Sequence, residues 1–165
     1  MLEYLAKTGK PVLLSSGMSS FEELDDSVAL LKAFGTPLSI FQCTTSYPTQ
    51  PENWGLNVIH ELKERYEVPI GYSDHSGDIY ACLFAAVHGA ELFEFHAVYD
   101  KSMFGPDAKS SLTPAEVSKL VKGLRQYEQS ILNPVDKSSN SQYSELKGIF
   151  EKSLAVNKDL PAGHV

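Results

Sequence analysis

The sequence repeats one pattern four times: a short apolar segment ends in small polar residues and is followed by an amphipathic segment. The centres of the apolar segments, near Leu13, Ile40, Ile70 and Phe93, are 27, 30 and 23 residues apart. This spacing leaves room for a helix between neighbouring strands, and no hairpin turn signal separates them. A parallel sheet built from right-handed βαβ crossovers is therefore predicted.

Helix boundary signals support the same pattern. Ser20 followed by Glu23 forms a capping box, and Thr113 with Glu116 marks a second helix start. The predicted strands are Pro11–Ser16, Leu38–Cys43, Pro69–Tyr72 and Glu91–His96. The predicted helices occupy residues 1–9, 21–34, 56–66, 78–88, 114–132 and 143–154.

These elements predict an α/β fold, specifically a partial (β/α) barrel of the TIM type with about four parallel βα units. An open doubly wound sheet is the alternative. In both folds, functional groups collect at the carboxyl ends of the strands. Residues 1–132 form the predicted barrel part, and the polar stretch Asn133–Gln142 is a linker or surface loop.

Composition excludes several classes of function. The 165 residues are 42% hydrophobic and 21% charged, which is ordinary for a globular protein. The net charge of −7 and the scattered basic residues disfavour nucleic acid and anionic membranes as partners. No apolar run approaches the roughly 20 residues of a membrane span, so a cytoplasmic location is expected. The two cysteines lie in separate elements and are expected to be reduced.

The fourth predicted strand carries two side chains that could bind a metal or take part in a reaction. Glu94 and His96 are two residues apart, so their side chains point to the same face, while Phe93 and Phe95 point to the other. A carboxylate between strands is costly to bury without a cation or a donor. The turn Gly105–Asp107 can bring the carboxylate of Asp107 back over the end of the strand.

His75 and His96 are the best candidate metal ligands, because imidazole is the commonest side-chain donor to borderline divalent metals. The alternative is a pair of partly buried histidines that hydrogen-bond to backbone carbonyls. Ser15, Thr45 and Ser73 could bind a phosphate, or could be ordinary cap and turn residues. Lysine and arginine are missing next to these strand ends, so a basic partner would have to come from elsewhere.

Read together, the strand ends resemble one known family. The order and spacing of KPVLLSSGMSS, FQCTTSYPT, PIGYSDHS, GAELFEFH and FGPDAKSSLTP are similar to those of the sialic acid synthases. These enzymes condense phosphoenolpyruvate with N-acetylmannosamine-like sugars to nine-carbon 2-keto acids and release phosphate. The resemblance covers nearly all of residues 1–132.

The resemblance implies a full (β/α)8 barrel followed by a small antifreeze-like domain. This chain would carry strands five to eight of that barrel, without the first half-barrel. Residues 133–165 would form a helix and a connector towards the antifreeze-like domain, which is missing. The chain is therefore expected to be a fragment that is inactive alone, and to self-associate or to pair with the missing half-barrel.

The resemblance also implies roles for single residues. His75 and His96 match the two ligands of Mn2+ or Mg2+, and Glu94 matches the acidic residue that holds a water beside the metal. Asp107 matches a catalytic carboxylate near the metal and the sugar. Ser73 matches a contact to the phosphate of phosphoenolpyruvate, and Ser15 and Thr45 fall at strand ends that line the same pocket.

Two positions depart from the pattern of many family members. Phe95 and Ala108 stand where lysine and histidine are common. Ala108 removes a polar group near the sugar, so the acceptor is either N-acetylmannosamine or a diacetamido relative. Two other functions compete with this interpretation: a non-catalytic half-barrel that serves as a binding or assembly module, and a barrel hydrolase with a dinuclear metal site. The hydrolase does not explain the Gly-Pro-Asp turn or the serine-rich strand ends.

Overall fold

The structure, a computed structural model, describes residues 1–153 and 155–163. These residues divide into two compact units, Met1–Gln129 and Ser130–Val165. The strands are β1 (Val12–Ser15), β2 (Leu38–Cys43), β3 (Ile70–Asp74), β4 (Leu92–Ala97) and β5 (Ser111–Leu112). The helices are α1 (Leu2–Ala6), α2 (Phe21–Ala33), α3 (Leu56–Tyr66), α4 (Tyr80–Val87), α5 (Pro114–Leu132) and α6 (Ser144–Phe150).

The strands form one parallel sheet in the order β1-β2-β3-β4-β5. Each strand pairs with the strand that precedes it in the sequence, and the order never reverses. A doubly wound sheet requires such a reversal, so the strand order excludes that alternative and confirms the predicted partial barrel.

The hydrophobic core lies on one face of the sheet. Alternate strand residues point to this face and pack against the helices, among them Leu14, Ile40, Tyr72 and Phe93. Helix residues complete the same core: Leu24, Leu31, Ile59, Leu62, Ala81, Ala85 and Leu120. In the part of the chain that the structure describes, the helices of this core all pack on that one face. We call the opposite, uncovered face of the sheet the open face. It corresponds to the inside of a barrel.

Local signals place the helix starts where the sequence predicts them. The Ser20 hydroxyl accepts a hydrogen bond from the Glu23 backbone N–H, and the Glu23 carboxylate accepts one from the Ser20 N–H. This reciprocal capping box fixes the start of α2. At α5, Glu116 accepts hydrogen bonds from the backbone and the hydroxyl of Thr113.

Two details differ from the sequence prediction. The helix predicted for residues 114–132 follows the short strand Ser111–Leu112, which was not predicted, rather than β4 directly. The first helix ends at Ala6, and Gly9 adopts a left-handed backbone shortly after it.

The second unit contains α6 within the predicted helix 143–154, of which Leu154 lies outside the described residues. Its apolar side chains Leu146, Ile149 and Phe150 are exposed. The helices described here include none that is long and apolar enough to cross a membrane.

Candidate functional site

The carboxyl ends of the strands carry rows of side chains on the open face. The register pairs Cys43 with Ser73, and Ser73 with Glu94. One step further along the strands, His96 pairs with Ser111. Because side chains alternate faces, His75 follows Ser73 on the same face, next to His96. The parallel register therefore brings the predicted residues of β3 and β4 to one edge of the sheet.

The two histidines lie side by side, as the sequence predicts. The ring centroids of His75 and His96 are 5.2 Å apart. The ring of Tyr47 stacks on His75 at 4.3 Å and meets His96 edge-on at 5.8 Å. The peptide bond between Tyr47 and Pro48 is cis. The two imidazoles and the phenol thus form one cluster.

Asp107 reaches this cluster from the segment after β4. Its carboxylate Oδ2 lies 3.8 Å from Nδ1 of His96, and both side chains are more than a third exposed. The Gly-Pro-Asp turn therefore brings a carboxylate back over the end of the strand, which agrees with the sequence prediction. The distance is longer than a hydrogen bond.

The histidine pair fits a divalent metal in its donor chemistry. Nδ1 of His75 lies 3.0 Å from the carbonyl oxygen of Thr44. Because a carbonyl can only accept, Nδ1 carries the proton, and Nε2 is the ring nitrogen that can offer a lone pair to a metal. This backbone support is the usual arrangement of a metal-binding histidine.

The protein groups alone do not complete a ligand set. Within residues 1–153 and 155–163, no three His, Cys, Asp or Glu side chains converge closely enough to hold a metal ion. The cluster fits a site whose remaining ligands are water or substrate oxygens, as in catalytic metal sites with open positions.

A second group of small polar side chains lies at the ends of β1 and β2. The Gly17 backbone N–H donates to the Ser15 hydroxyl at 3.3 Å. A methyl group at Gly17 would lie 2.9 Å from Oγ1 of Thr45 and 3.2 Å from Sγ of Cys43. Glycine therefore allows this close approach. Because Cys43 of β2 pairs with Ser73 of β3, this group lies next to the strand that leads to His75.

Glu94 differs from the expectation in one respect. Its side chain points to the open face beside Ser73, but it is exposed to water. The predicted cost of burying its charge is therefore absent, and the fold alone does not require a cation next to it. A depression of about 610 Å³ lies next to Glu94. Its lining consists of Leu13, Ser15, Phe41, Phe93, Glu94 and Phe95.

Asp74 stabilises the turn that presents His75. It is 1% exposed and accepts hydrogen bonds from the backbone N–H and the hydroxyl of Ser76, both at 2.9 Å. Burial raises the pKa of this carboxyl above its ordinary value, although the two hydrogen bonds oppose the shift.

Two contacts at this edge escaped the sequence analysis. Tyr47 was not a candidate site residue, because its ring contact with a histidine 28 positions away in the chain leaves no local pattern. Lys101 donates hydrogen bonds to Gly77 and Glu116, and nothing in its neighbourhood in the sequence signals these partners. Conversely, Ala108 is buried, so its methyl group packs inside the segment after β4.

The sheet order, the single helix-covered face and the polar carboxyl edge define a segment of a (β/α)-barrel protein. The sequence matches the NeuB family over residues 1–136. The chain is 33% identical to N,N'-diacetyllegionaminic acid synthase from Campylobacter jejuni, over 99% of this chain and 50% of that protein. It is 37% identical to human N-acetylneuraminate-9-phosphate synthase, over 81% of this chain and 37% of that protein.

A solved structure agrees with these relatives. The crystal structure of N-acetylneuraminic acid (sialic acid) synthetase from Leptospira borgpetersenii superposes with a TM-score of 0.78 at 34% identity, covering 90% of this chain and 52% of that one. The chain therefore belongs to the NeuB family. It spans about half the length of the first of these relatives, and the predicted resemblance is confirmed.

Proposed function

We propose that this chain contributes the metal-binding side of the active site of a phosphoenolpyruvate-dependent sugar-acid synthase. The reaction joins phosphoenolpyruvate to an N-acetylmannosamine-like sugar and gives a nine-carbon 2-keto acid and phosphate. The observation that carries the proposal is the pair His75 and His96 at the carboxyl edge of a parallel sheet, in a chain of the NeuB family.

We assign the metal role to His75 and His96, with Nε2 of His75 as one donor. A bound Mn2+ or Mg2+ would supply Lewis-acid polarisation of the aldehyde oxygen of the open-chain sugar, which would make its carbonyl carbon a better electrophile for C3 of phosphoenolpyruvate. Two imidazole donors favour Mn2+ over Mg2+, since Mg2+ prefers an all-oxygen shell.

The other polar groups bind and orient the reactants. The hydroxyls of Ser15, Thr45 and Ser73 donate hydrogen bonds to the phosphate of phosphoenolpyruvate. Glu94, which is exposed beside Ser73, orients the water that adds to C2 before phosphate leaves. Asp107 accepts a hydrogen bond from the sugar beside His96.

The phosphate also needs a cation that these strand ends do not provide. The open face carries apolar surface, including Leu13 at 63% exposure, and β1 and β5 are the two edges of the sheet. We therefore propose that further barrel strands cover this face, from a complementary half-barrel or from a second copy of the chain. Relatives about twice as long support this assignment. Turnover of both substrates by these 165 residues as a monomer would contradict it.

The acceptor belongs to the acetamido sugars. Relatives named for legionaminic, pseudaminic and N-acetylneuraminic acid products have similar identities of 33%, 35% and 37%. Overall identity therefore does not select one sugar. The cytoplasmic location and the lack of a nucleic-acid partner stay predictions from the sequence.

The metal assignment is tested with the chain itself. Titration with Mn2+, followed by electron paramagnetic resonance, should show weak binding that is lost in His75→Ala and in His96→Ala. His60→Ala is the matched control, because His60 is exposed on α3 and pairs with Glu64 at 3.2 Å. Equal binding by all three variants would refute the assignment.

A further inference from the structure

Lys101 connects three segments around the histidine cluster. It lies between β4 and β5, and its ammonium group donates hydrogen bonds to the Gly77 carbonyl at 2.8 Å and to Oε1 of Glu116 at 2.9 Å. Gly77 follows His75 by two residues, while Glu116 belongs to the first turn of α5. One side chain thus joins the loop after β3, the segment after β4 and the start of a helix.

Glu116, one of the two partners of Lys101, is held in place independently. The second oxygen of Glu116 accepts hydrogen bonds from the backbone N–H and the hydroxyl of Thr113, both at 2.8 Å. Lys101 itself follows Asp100, which accepts two hydrogen bonds from Ser102. The Glu116 carboxylate and the backbone beside Lys101 are therefore both held, which restricts the motion of the ammonium group.

The loop after β3 also touches the segment after β4 through the backbone. Gly77 has a left-handed φ of +71°, and a methyl group there would lie 2.2 Å from the carbonyl oxygen of Lys109. This contact is two residues from His75 on one side and two residues from Asp107 on the other. The packing of these two segments therefore sets the separation of the groups in the cluster.

We propose that Lys101 is a positioning residue that holds the loop carrying His75 against the segment carrying Asp107. The compact charge of lysine and its three donors suit it to bind a carbonyl and a carboxylate from different elements at once. Without the ammonium group, the Gly77 carbonyl and the Glu116 carboxylate lose their common partner, and the two segments are free to separate. The inference rests on the proposed metal role of His75 and His96.

The test compares three variants of the full chain. Lys101→Met keeps the aliphatic stem and removes the charge, and Lys101→Arg retains a cation. Lys63→Met makes the same chemical change at an exposed lysine that pairs with Glu91 at 3.5 Å, at the amino end of β4. Thermal unfolding of each variant shows that it is folded.

Manganese affinity is the first readout. We expect Lys101→Met to weaken Mn2+ binding by about tenfold or more, the range in which groups that orient metal ligands act. Lys101→Arg should recover most of the affinity, and Lys63→Met should leave it unchanged. An unchanged affinity in Lys101→Met, or an equal loss in Lys63→Met, would overturn the inference.

A metal-free readout separates this inference from the proposed function. At one fixed pH, the ring resonances of His75 and His96 report their positions relative to the ring of Tyr47. They should shift in Lys101→Met and stay in place in Lys63→Met. If the unmodified chain binds no Mn2+, the metal proposal fails and these resonances alone decide the role of Lys101. Identical resonances in both variants would then refute it.

Discussion

Replacing Gly77 with alanine measures how tightly the two segments at the carboxyl edge of the sheet are packed. The backbone of Gly77 is left-handed, and the added methyl group would lie 2.2 Å from the Lys109 carbonyl oxygen. Gly35 provides a matched control. Its φ of +67° is nearly the same, but a methyl group there meets no atom within 4 Å.

The two substitutions share one cost and differ in another. A left-handed backbone costs a non-glycine residue roughly 1–2 kcal/mol, which applies to both Gly77→Ala and Gly35→Ala. At Gly77 the colliding atom belongs to the backbone, so no side-chain rotation relieves the contact, and overpacking adds about 1–3 kcal/mol. The expected losses in the free energy of unfolding are about 2–5 kcal/mol at Gly77 and about 1–2 kcal/mol at Gly35.

Urea unfolding provides the assay. Trp54 is the single tryptophan and lies 6.1 Å from the ring of Phe84, so its fluorescence reports the packing of the first unit. With m-values of about 1–3 kcal/mol/M, the midpoints of the two variants should differ by about 1 M. Equal midpoints would show that the contact between Gly77 and Lys109 is not tight, which would contradict close packing of the two segments.

Three further predictions concern stability. The pKa of Glu116 is lowered from 4.5 to about 2, first by its hydrogen bond with Lys101. The stabilisation that this shift provides is complete above the unfolded pKa and is lost as the pH falls towards 2. Glu116→Gln should therefore flatten the acid side of a plot of urea midpoint against pH, and an unaltered slope would contradict this. Ser20→Ala should cost about 1 kcal/mol by removing the cap of α2, with no loss refuting the capping role. Gly71→Ala should cost about 1–3 kcal/mol, because its methyl group would lie 2.7 Å from the Phe41 ring, and adding Phe41→Leu should recover part of the loss.

Regular elements were predictable where local signals agree. The bounds of β2, Leu38–Cys43, and of α3, Leu56–Tyr66, match the prediction, since apolar periodicity and end signals coincide there. The strand Ser111–Leu112 was missed because two residues are too few to show an alternation. Its existence depends on β4, which provides its pairing partner.

The candidate site was predictable to the extent that it depends on alternation within a strand. His75 lies two residues after Ser73, and His96 lies two residues after Glu94, so both histidine side chains point to the open face. The parallel register of β3 and β4 then brings them together. Tyr47 joins them through a turn whose path is set by tertiary packing. The exposure of Glu94 could not be predicted from its own strand, because it depends on whether other parts of the protein cover the open face.

The sequential order of the strands also has a consequence for synthesis on the ribosome. Each strand finds its partner already present when it emerges, so no strand has to insert between two that are paired. The histidine cluster spans the last long strand pair, β3 and β4. A nascent chain that stops before β4 can therefore already contain paired strands, yet it lacks His96, and the histidine cluster forms only when the fourth strand has docked.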